Sequence, residues 1–538
     1  MNFQIDRKSD KKNNIKIWLF LFLFVFALEF WVSINSYTHD LYNRIDSAIF
    51  FMSGKAWMNG MIPYVDFADA KGPLLWLIFG IGYLFSHYNY LGIFWIECIF
   101  YTVTFFYCYK IGCLFLSDKK TALLCSMLMA LSFFCGAYHY ETRAEDFCQP
   151  FIAGGLYYTL RALYGSQRDK DIKIASLVVG IGFASTLLIK FTIAAMILIL
   201  FFALFCYLIK CRKDLIGISF IYAFLGIFLT LFPFILYFFY QGNFHDFIYA
   251  YFSATSQTIV KTPTLGGMIK DYIVDGWGSL LHLNLFRSFV VCFLLVNIIG
   301  GCIFFYKKLS TFKWFPAVIA LWFICISMYH ALGYYYHSFA IFAIFPIIMY
   351  LTFFNRFVII KKKRRLVFYA SLIVVIVFLE NITFLRPNFF LNKTEERNDF
   401  YYVNRILSQV ANPKIMFSFY DTGYGTPAHA LPGCRYWTGQ YGVTEKMISE
   451  RALAIKEQYP DFVFVLYDYE YFTNLLQQSG YVKYYSWMTQ EATYRYQTYL
   501  YGKPGLSLPP DDFHHISPMD VLLKKRILPD RTNRIKSL

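Results

Sequence analysis

Residues 73–86 read PLLWLIFGIGYLFS, an apolar run without a charged residue. A membrane-crossing helix needs about 20 apolar residues to cover a hydrocarbon core roughly 30 Å thick, so this run is short for a span. Whether it counts as one decides on which side of the membrane everything downstream lies. Basic residues cluster at Arg7–Lys16, Lys119/Lys120, Arg168–Lys173, Lys210–Lys213, Lys307/Lys308/Lys313 and Arg356–Arg365. Cytoplasmic loops carry an excess of Lys and Arg. Counting 73–86 as a span would put Lys119/Lys120, Lys210–Lys213 and Lys361–Arg365 outside. Reading it as an interfacial or re-entrant helix on the outer face keeps every cluster inside. Such segments are tolerated where protein or a cavity covers them.

The remaining apolar runs then give about 11 transmembrane helices, because each stretch between basic clusters must leave the membrane and return. They lie near 17–37, 91–116, 121–139, 148–165, 173–189, 191–209, 215–239, 288–306, 314–331, 336–354 and 366–384. An odd count places the N-terminus in the cytoplasm and everything after Arg386 outside it. The composition agrees. The chain of 538 residues is 58% hydrophobic and 16% charged, with a mean hydropathy of +0.44, whereas soluble domains carry about 25% charged residues. The net charge of +16 belongs to the inner loops and therefore reports topology, not a nucleic-acid partner. Cys98, Cys108, Cys125, Cys206, Cys292, Cys302 and Cys325 sit inside apolar runs without metal-type spacing and read as small buried hydrophobes. Only Cys148 and Cys434 are expected to face an oxidising compartment, so no disulfide framework is expected. The first apolar run lacks a small-residue cleavage site and reads as a retained span.

Two domains are expected: a transmembrane domain over 1–385 and a small extracytoplasmic α/β domain over 386–538. In the second, PKIMFSFYD (413–421) and DFVFVLYD (461–468) read as buried strands, with an amphipathic helix over 443–460 between them. The glycines of DTGYGTP do not open a G-x-G-x-x-G pattern and read as turns.

The outer loops hold the candidate chemistry. The first, about 38–90, carries Asp40, Asp46, Asp66 and Asp69 with Arg44 and Lys71. Asp46 opens the helix-like run DSAIFFMSGKAWMNG, where it could cap the helix, a role compatible with a functional one. The second loop, about 140–147, packs Glu141, Arg143, Glu145 and Asp146 between apolar spans. Charge at a helix centre costs about 2.5–3.5 kcal/mol per residue and less near the interface, so these are functional candidates, with a solvated turn as the structural alternative. Lys190 interrupts TLLIKFTIAA, either snorkelling at a tight outer turn or pointing into a cavity toward an anion. MYHALGYYYHSF (328–339) brings His330, Tyr334 and His337 to the outer boundary, where an aromatic belt accounts for the tyrosines. No metal site is evident. Acids beside cations suit group transfer from a lipid phosphate: a carboxylate deprotonates the acceptor hydroxyl while cations hold the phosphate.

The first loop resembles that of the GT-C glycosyltransferases, especially bacterial relatives of protein O-mannosyltransferases and lipid A aminoarabinose transferases. The resemblance rests on Asp46 after the first span, GMIPY (60–64) and KGPLLW (71–76) opening a short helix. It covers most of 17–384 and implies a GT-C fold with interfacial helices in the first outer loop. It also implies an inverting glycosyltransferase in a bacterial plasma membrane. A sugar would pass from a polyprenyl-phosphate-linked donor to a lipid, glycan or protein acceptor, with no other cofactor evident. By the resemblance Asp46 is the catalytic base, Asp146 or Glu145 the supporting carboxylate, and Lys71 a donor-phosphate ligand. Arg143, Lys190, Tyr334 and His337 are further substrate-binding candidates. Two positions depart from the family pattern: the usual acidic pair reads Asp46-Ser47, and the usual Pro-Pro reads Gly72-Pro73. The rival readings are a lipid-linked sugar transporter or flippase, and a glycan polymerase or ligase. A transporter should show internal repeats and charges near span centres; no repeat is evident, and most charges lie at span ends.

Overall fold

The computed structural model describes residues 7–36, 45–134, 142–164, 169–254, 363–384, 403–404, 406–421, 423–439, 444–466, 470–491 and 494–506. The expected spans at 288–306, 314–331 and 336–354 lie outside the described residues. Helices α1 (Arg7–Val32), α2 (Ile45–Met58), α3 (Pro73–Phe85), α4 (Leu91–Phe115) and α5 (Lys119–Leu128) come first. They are followed by α6 (Ala144–Tyr164), α7 (Asp169–Ile189), α8 (Phe191–Cys211), α9 (Ile216–Tyr240) and α10 (Lys363–Phe384). Five described stretches are long and apolar enough to cross a membrane: Asn13–Val32, Leu91–Phe115, Asp169–Ile189, Phe191–Cys211 and Lys213–Tyr240. The chain is an integral membrane protein.

The short run that decided the topology is α3, 13 residues from Pro73 to Phe85, or about 20 Å at 1.5 Å per residue. Pro73 starts it where a missing N–H does no harm. It packs on α2 so closely that an ideal Cβ at Gly54 would lie 2.4 Å from the Gly80 nitrogen. The same device joins α7 and α9, where a Cβ on Gly180 would meet the Ala223 carbonyl oxygen at 2.1 Å. Small residues let helix backbones touch where lipid supplies no hydrophobic force between them. Two expected boundaries need correction. The span expected at 121–139 is interrupted: α5 ends at Leu128 and a separate turn covers Ala130–Phe133. The span expected from 148 begins at Ala144, so Glu145 and Asp146 belong to the first turn of α6. The cause is a cap, since the Asp146 carboxylate accepts the Arg143 N–H at 2.8 Å.

The helix ends separate into two chemically distinct sets. At one end, Lys110 donates to Asn14 at 2.8 Å, Arg161 pairs with Asp171 at 2.6 Å, and Arg212 pairs with Asp169 at 2.7 Å. At the other lie Ser33 and Asn35 after α1, Glu97 near the start of α4, and Thr142 before α6.

The C-terminal region folds as strand–helix–strand, as its sequence suggests. Strands β1 (Lys414–Phe417), β2 (Leu431–Pro432), β3 (Phe462–Leu466), β4 (Val482–Glu491) and β5 (Tyr494–Gly502) form a sheet of order β2-β1-β3-β5-β4. Strand β1 runs parallel to β3, with Ile415 opposite Phe462, and helix α11 (Glu445–Lys456) lies between them in sequence. Strand β3 is buried along its length and pairs antiparallel with β5. This sheet region rests on the loop between α2 and α3. Ala68 N–H donates to the Arg435 carbonyl at 2.7 Å, Arg435 Nε donates to the Val65 carbonyl at 3.2 Å, and Arg435 pairs with Asp246 at 2.8 Å.

Candidate active site

Asp46 lies in the first turn of α2, buried, where a negative charge is favoured by the helix dipole. Phe50, one turn later, lies under the Lys71 ammonium, 5.3 Å from its ring centroid. Lys71 is thereby held against the Asp46 face of α2. Its backbone is fixed from two sides. Tyr64 Oη donates to the Lys71 carbonyl at 3.0 Å, and the next residue, Gly72, donates its N–H to Ile189 at 3.0 Å. Tyr64 adopts a left-handed backbone, φ 66°, which costs a non-glycine residue of order 1 kcal/mol or more. Packing against Trp76 and Phe247 holds it there. A Cβ at Gly72 would lie 2.0 Å from the Leu188 carbonyl oxygen, so no second proline fits, and the departure from Pro-Pro has a steric cause.

Lys190 stands in extended backbone between α7 and α8. It donates to Glu145 at 2.5 Å, which joins this break to the start of α6. The break itself is held by Tyr251, whose hydroxyl donates to the Leu187 carbonyl at 2.7 Å and accepts the Phe191 N–H at 2.9 Å. Asp146 is turned elsewhere, accepting from Tyr101 Oη at 2.9 Å besides capping α6. Arg143 is fully buried beside this cap. The two second-loop acids thus differ in surroundings: Glu145 meets a cation, while Asp146 fixes a helix start. Tyr334 and His337 lie outside the described residues.

Three residues stand out to which the sequence reading gave no role. Asp69 carries a buried Oδ2 without a hydrogen-bond partner. Burial pushes its carboxyl up; Lys71 and the Ala70 N–H pull it down, and the charges of Asp46 and Lys190 also reach it. Asp46, Asp69, Lys71 and Lys190 therefore share one electrostatic neighbourhood. By contrast, Asp66 serves a turn, accepting the Ile62 N–H at 2.6 Å. The second is Glu97, buried at the site end of α4. Oε2 accepts from Ser33 Oγ at 3.2 Å and Asn35 Nδ2 at 3.0 Å, and Oε1 from Thr142 Oγ1 at 2.7 Å. The Thr142 carbonyl in turn accepts from Ser47 Oγ at 3.3 Å, which gives the residue beside Asp46 a structural partner. An acid inside an apolar helix is itself a signal of function, and Glu97 carried that signal. The third is Lys55, buried on α2. Among the described residues no group of three or more His, Cys, Asp and Glu could hold a metal ion.

Residues 71–238 match the family model of dolichyl-phosphate-mannose-protein mannosyltransferase. The match begins at Lys71 and includes Glu97, Glu145 and Lys190. A search of the curated proteins finds no match. Among solved structures, ArnT from Cupriavidus metallidurans bound to undecaprenyl phosphate aligns with a TM-score of 0.57 at 8% identity, over 90% of this chain and 98% of that one. Its apo state aligns at 0.55, with the same identity and coverage. The oligosaccharyltransferase of Archaeoglobus fulgidus aligns more loosely, at 0.42 and 12% identity, over 94% of this chain and 76% of that one. At these identities the likeness to solved structures is one of fold. Residues 71–238 thus resemble that mannosyltransferase family, and the chain as a whole shares the fold of ArnT.

Proposed function

We propose that the chain transfers a sugar from a polyprenyl-phosphate-linked donor to a hydroxyl acceptor, with inversion, on the extracytoplasmic face. The observation that carries this reading is the gathering of Asp46, Asp69, Lys71, Lys190 and Glu145 in one buried polar site. Asp46 takes the proton of the acceptor hydroxyl. That oxygen attacks the anomeric carbon from the face opposite the phosphate, the C–O bond to the phosphate breaks, and the polyprenyl phosphate leaves with the bonding pair. Lys71 and Lys190 stabilise the leaving phosphate. Glu145 orients Lys190, and Asp146 orients the second loop through the start of α6. Arg143, Tyr334 and His337 remain substrate-binding candidates on the same side. The donor class also fits ArnT, a structure of the same fold that holds undecaprenyl phosphate.

The side of the membrane follows from charge. The end bearing Lys110, Arg161 and Arg212 is cytoplasmic by the positive-inside rule, so the site and the C-terminal domain face outward, with the N-terminus inside. The domain boundary falls near 385/386. The acceptor class, whether lipid, glycan or protein, is read by mass spectrometry of lipids and surface glycans from cells lacking the protein. Loss of one sugar from one class, restored by the wild-type chain but not by Asp46→Asn, is expected. Unchanged lipids and glycans would count against the assignment.

A further inference from the structure

Lys55 lies on the same helix as Asp46, nine positions later, and no step of the transfer uses it. Its ammonium is buried and donates to two backbone carbonyls of the C-terminal domain, Gly425 at 3.0 Å and Ala428. The receiving turn is shaped for it. Asp421 Oδ1 accepts the Gly423 N–H at 2.7 Å, and the left-handed backbone of Gly423, φ 84°, suits a residue without Cβ. Asp421 Oδ2 is buried without a hydrogen-bond partner, and the Asp421 carboxyl, when ionised, raises Lys55. A Cβ at Gly425 would lie 2.3 Å from Met52 Cε, so the turn sits directly on α2. Around this contact, Tyr90 Oη and Thr426 Oγ1 share a hydrogen bond at 2.8 Å, and Tyr88 Oη lies 3.1 Å from His429 Nε2.

A buried ammonium is expensive, and burial lowers Lys55 to about 7 while it raises Asp421 to about 7. An apolar side chain of similar volume would hold the two surfaces together at least as well. What the ammonium adds is direction: hydrogen bonds to two carbonyls fix both the rotation of α2 about its axis and its position along it. The geometry points to the C-terminal domain as a working part of the site, gripping α2 through the positioning residue Lys55 and so setting where Asp46 stands relative to Lys71 and Lys190. This rests on Asp46 being the base.

The test uses the purified full chain with an undecaprenyl-phosphate hexose as donor and a detergent extract of host membranes as acceptor. A small misplacement of a catalytic group is enough to slow the chemical step by one or two orders of magnitude, so Lys55→Met is expected to lower kcat about tenfold with donor KM within about twofold. Tyr90→Phe, which removes one hydroxyl from the same interface, is expected to lower kcat about two- to threefold. A wild-type kcat in Lys55→Met beside an inactive Asp46→Asn overturns the positioning role and leaves the base in place. An active Asp46→Asn overturns the base itself, and with it this proposal. If Lys55→Met does not fold, Tyr90→Phe decides, and an unchanged kcat in that variant overturns the proposal.

Discussion

Replacing Glu97 by glutamine changes one oxygen of a buried side chain to an amide nitrogen and leaves its shape nearly intact. The wild-type carboxylate is an acceptor for three donors, Ser33 and Asn35 on one oxygen and Thr142 on the other. A glutamine has one acceptor oxygen. With its nitrogen toward Thr142, the threonine hydroxyl must turn its proton away while still accepting from Asn35 Nδ2. With its nitrogen toward Ser33 and Asn35, two donors face a third. Hydrogen bonds to a charged group contribute about 1.5–3 kcal/mol each and neutral ones about 0.5–1.5. Losing one bond and weakening the others therefore costs about 2–4 kcal/mol. The loosened residue, Thr142, receives Ser47 through its carbonyl, so the disturbance reaches the position beside Asp46. Thermal unfolding of the detergent-solubilised variant should show a lower Tm, and kcat should fall about tenfold because the base is displaced from its reacting geometry. Glu97→Gln with wild-type Tm and kcat would refute the reasoning.

The other predictions concern single contacts. Lys190→Met removes the ion pair to the buried Glu145 carboxylate and should cost about 3–5 kcal/mol by thermal or chaotrope unfolding, most of it recovered in Lys190→Met/Glu145→Gln. Gly72→Ala should lose activity and stability together, because its Cβ would lie 2.0 Å from a backbone oxygen that packing holds still. Asp421 gives a pH prediction. Its carboxyl is raised from 3.8 to about 7 in the folded chain, so over that window the folded state holds a proton that the unfolded state has released. Stability from this group is present below about pH 4 and is lost as the pH rises through about 7. Tm measured across that window should fall less steeply in Asp421→Asn than in the wild type.

The sequence made the membrane class legible because lipid leaves a compositional mark that no tertiary context can hide. The topology hinged on 73–86, and its length together with the basic clusters downstream argued against a span; the helix Pro73–Phe85 has the expected extent. The strand–helix–strand of the C-terminal domain was legible for a similar reason, its two apolar runs being short and bounded by turn residues. The start of α6 lies earlier than expected because Glu145 and Asp146 read as loop charges, whereas the Asp146 carboxylate caps the helix. Glu97 was visible as an acid inside an apolar helix, but its role was not, because its partners Ser33, Asn35 and Thr142 lie far apart in sequence. Lys55 was hidden for the same reason, since only the folded C-terminal turn supplies its acceptors.

The central claim is a sugar transfer that depends on one carboxylate and needs no sealed membrane. Purified wild-type chain in detergent, given a labelled polyprenyl-phosphate sugar and a membrane extract as acceptor, should move label to the acceptor and release polyprenyl phosphate. A general base contributes about 10²- to 10⁴-fold, so Asp46→Asn should lose activity by that factor while remaining folded. Transfer by Asp46→Asn at the wild-type rate, or no transfer by the wild type in detergent with movement of the lipid-linked sugar across sealed vesicles instead, would contradict the account.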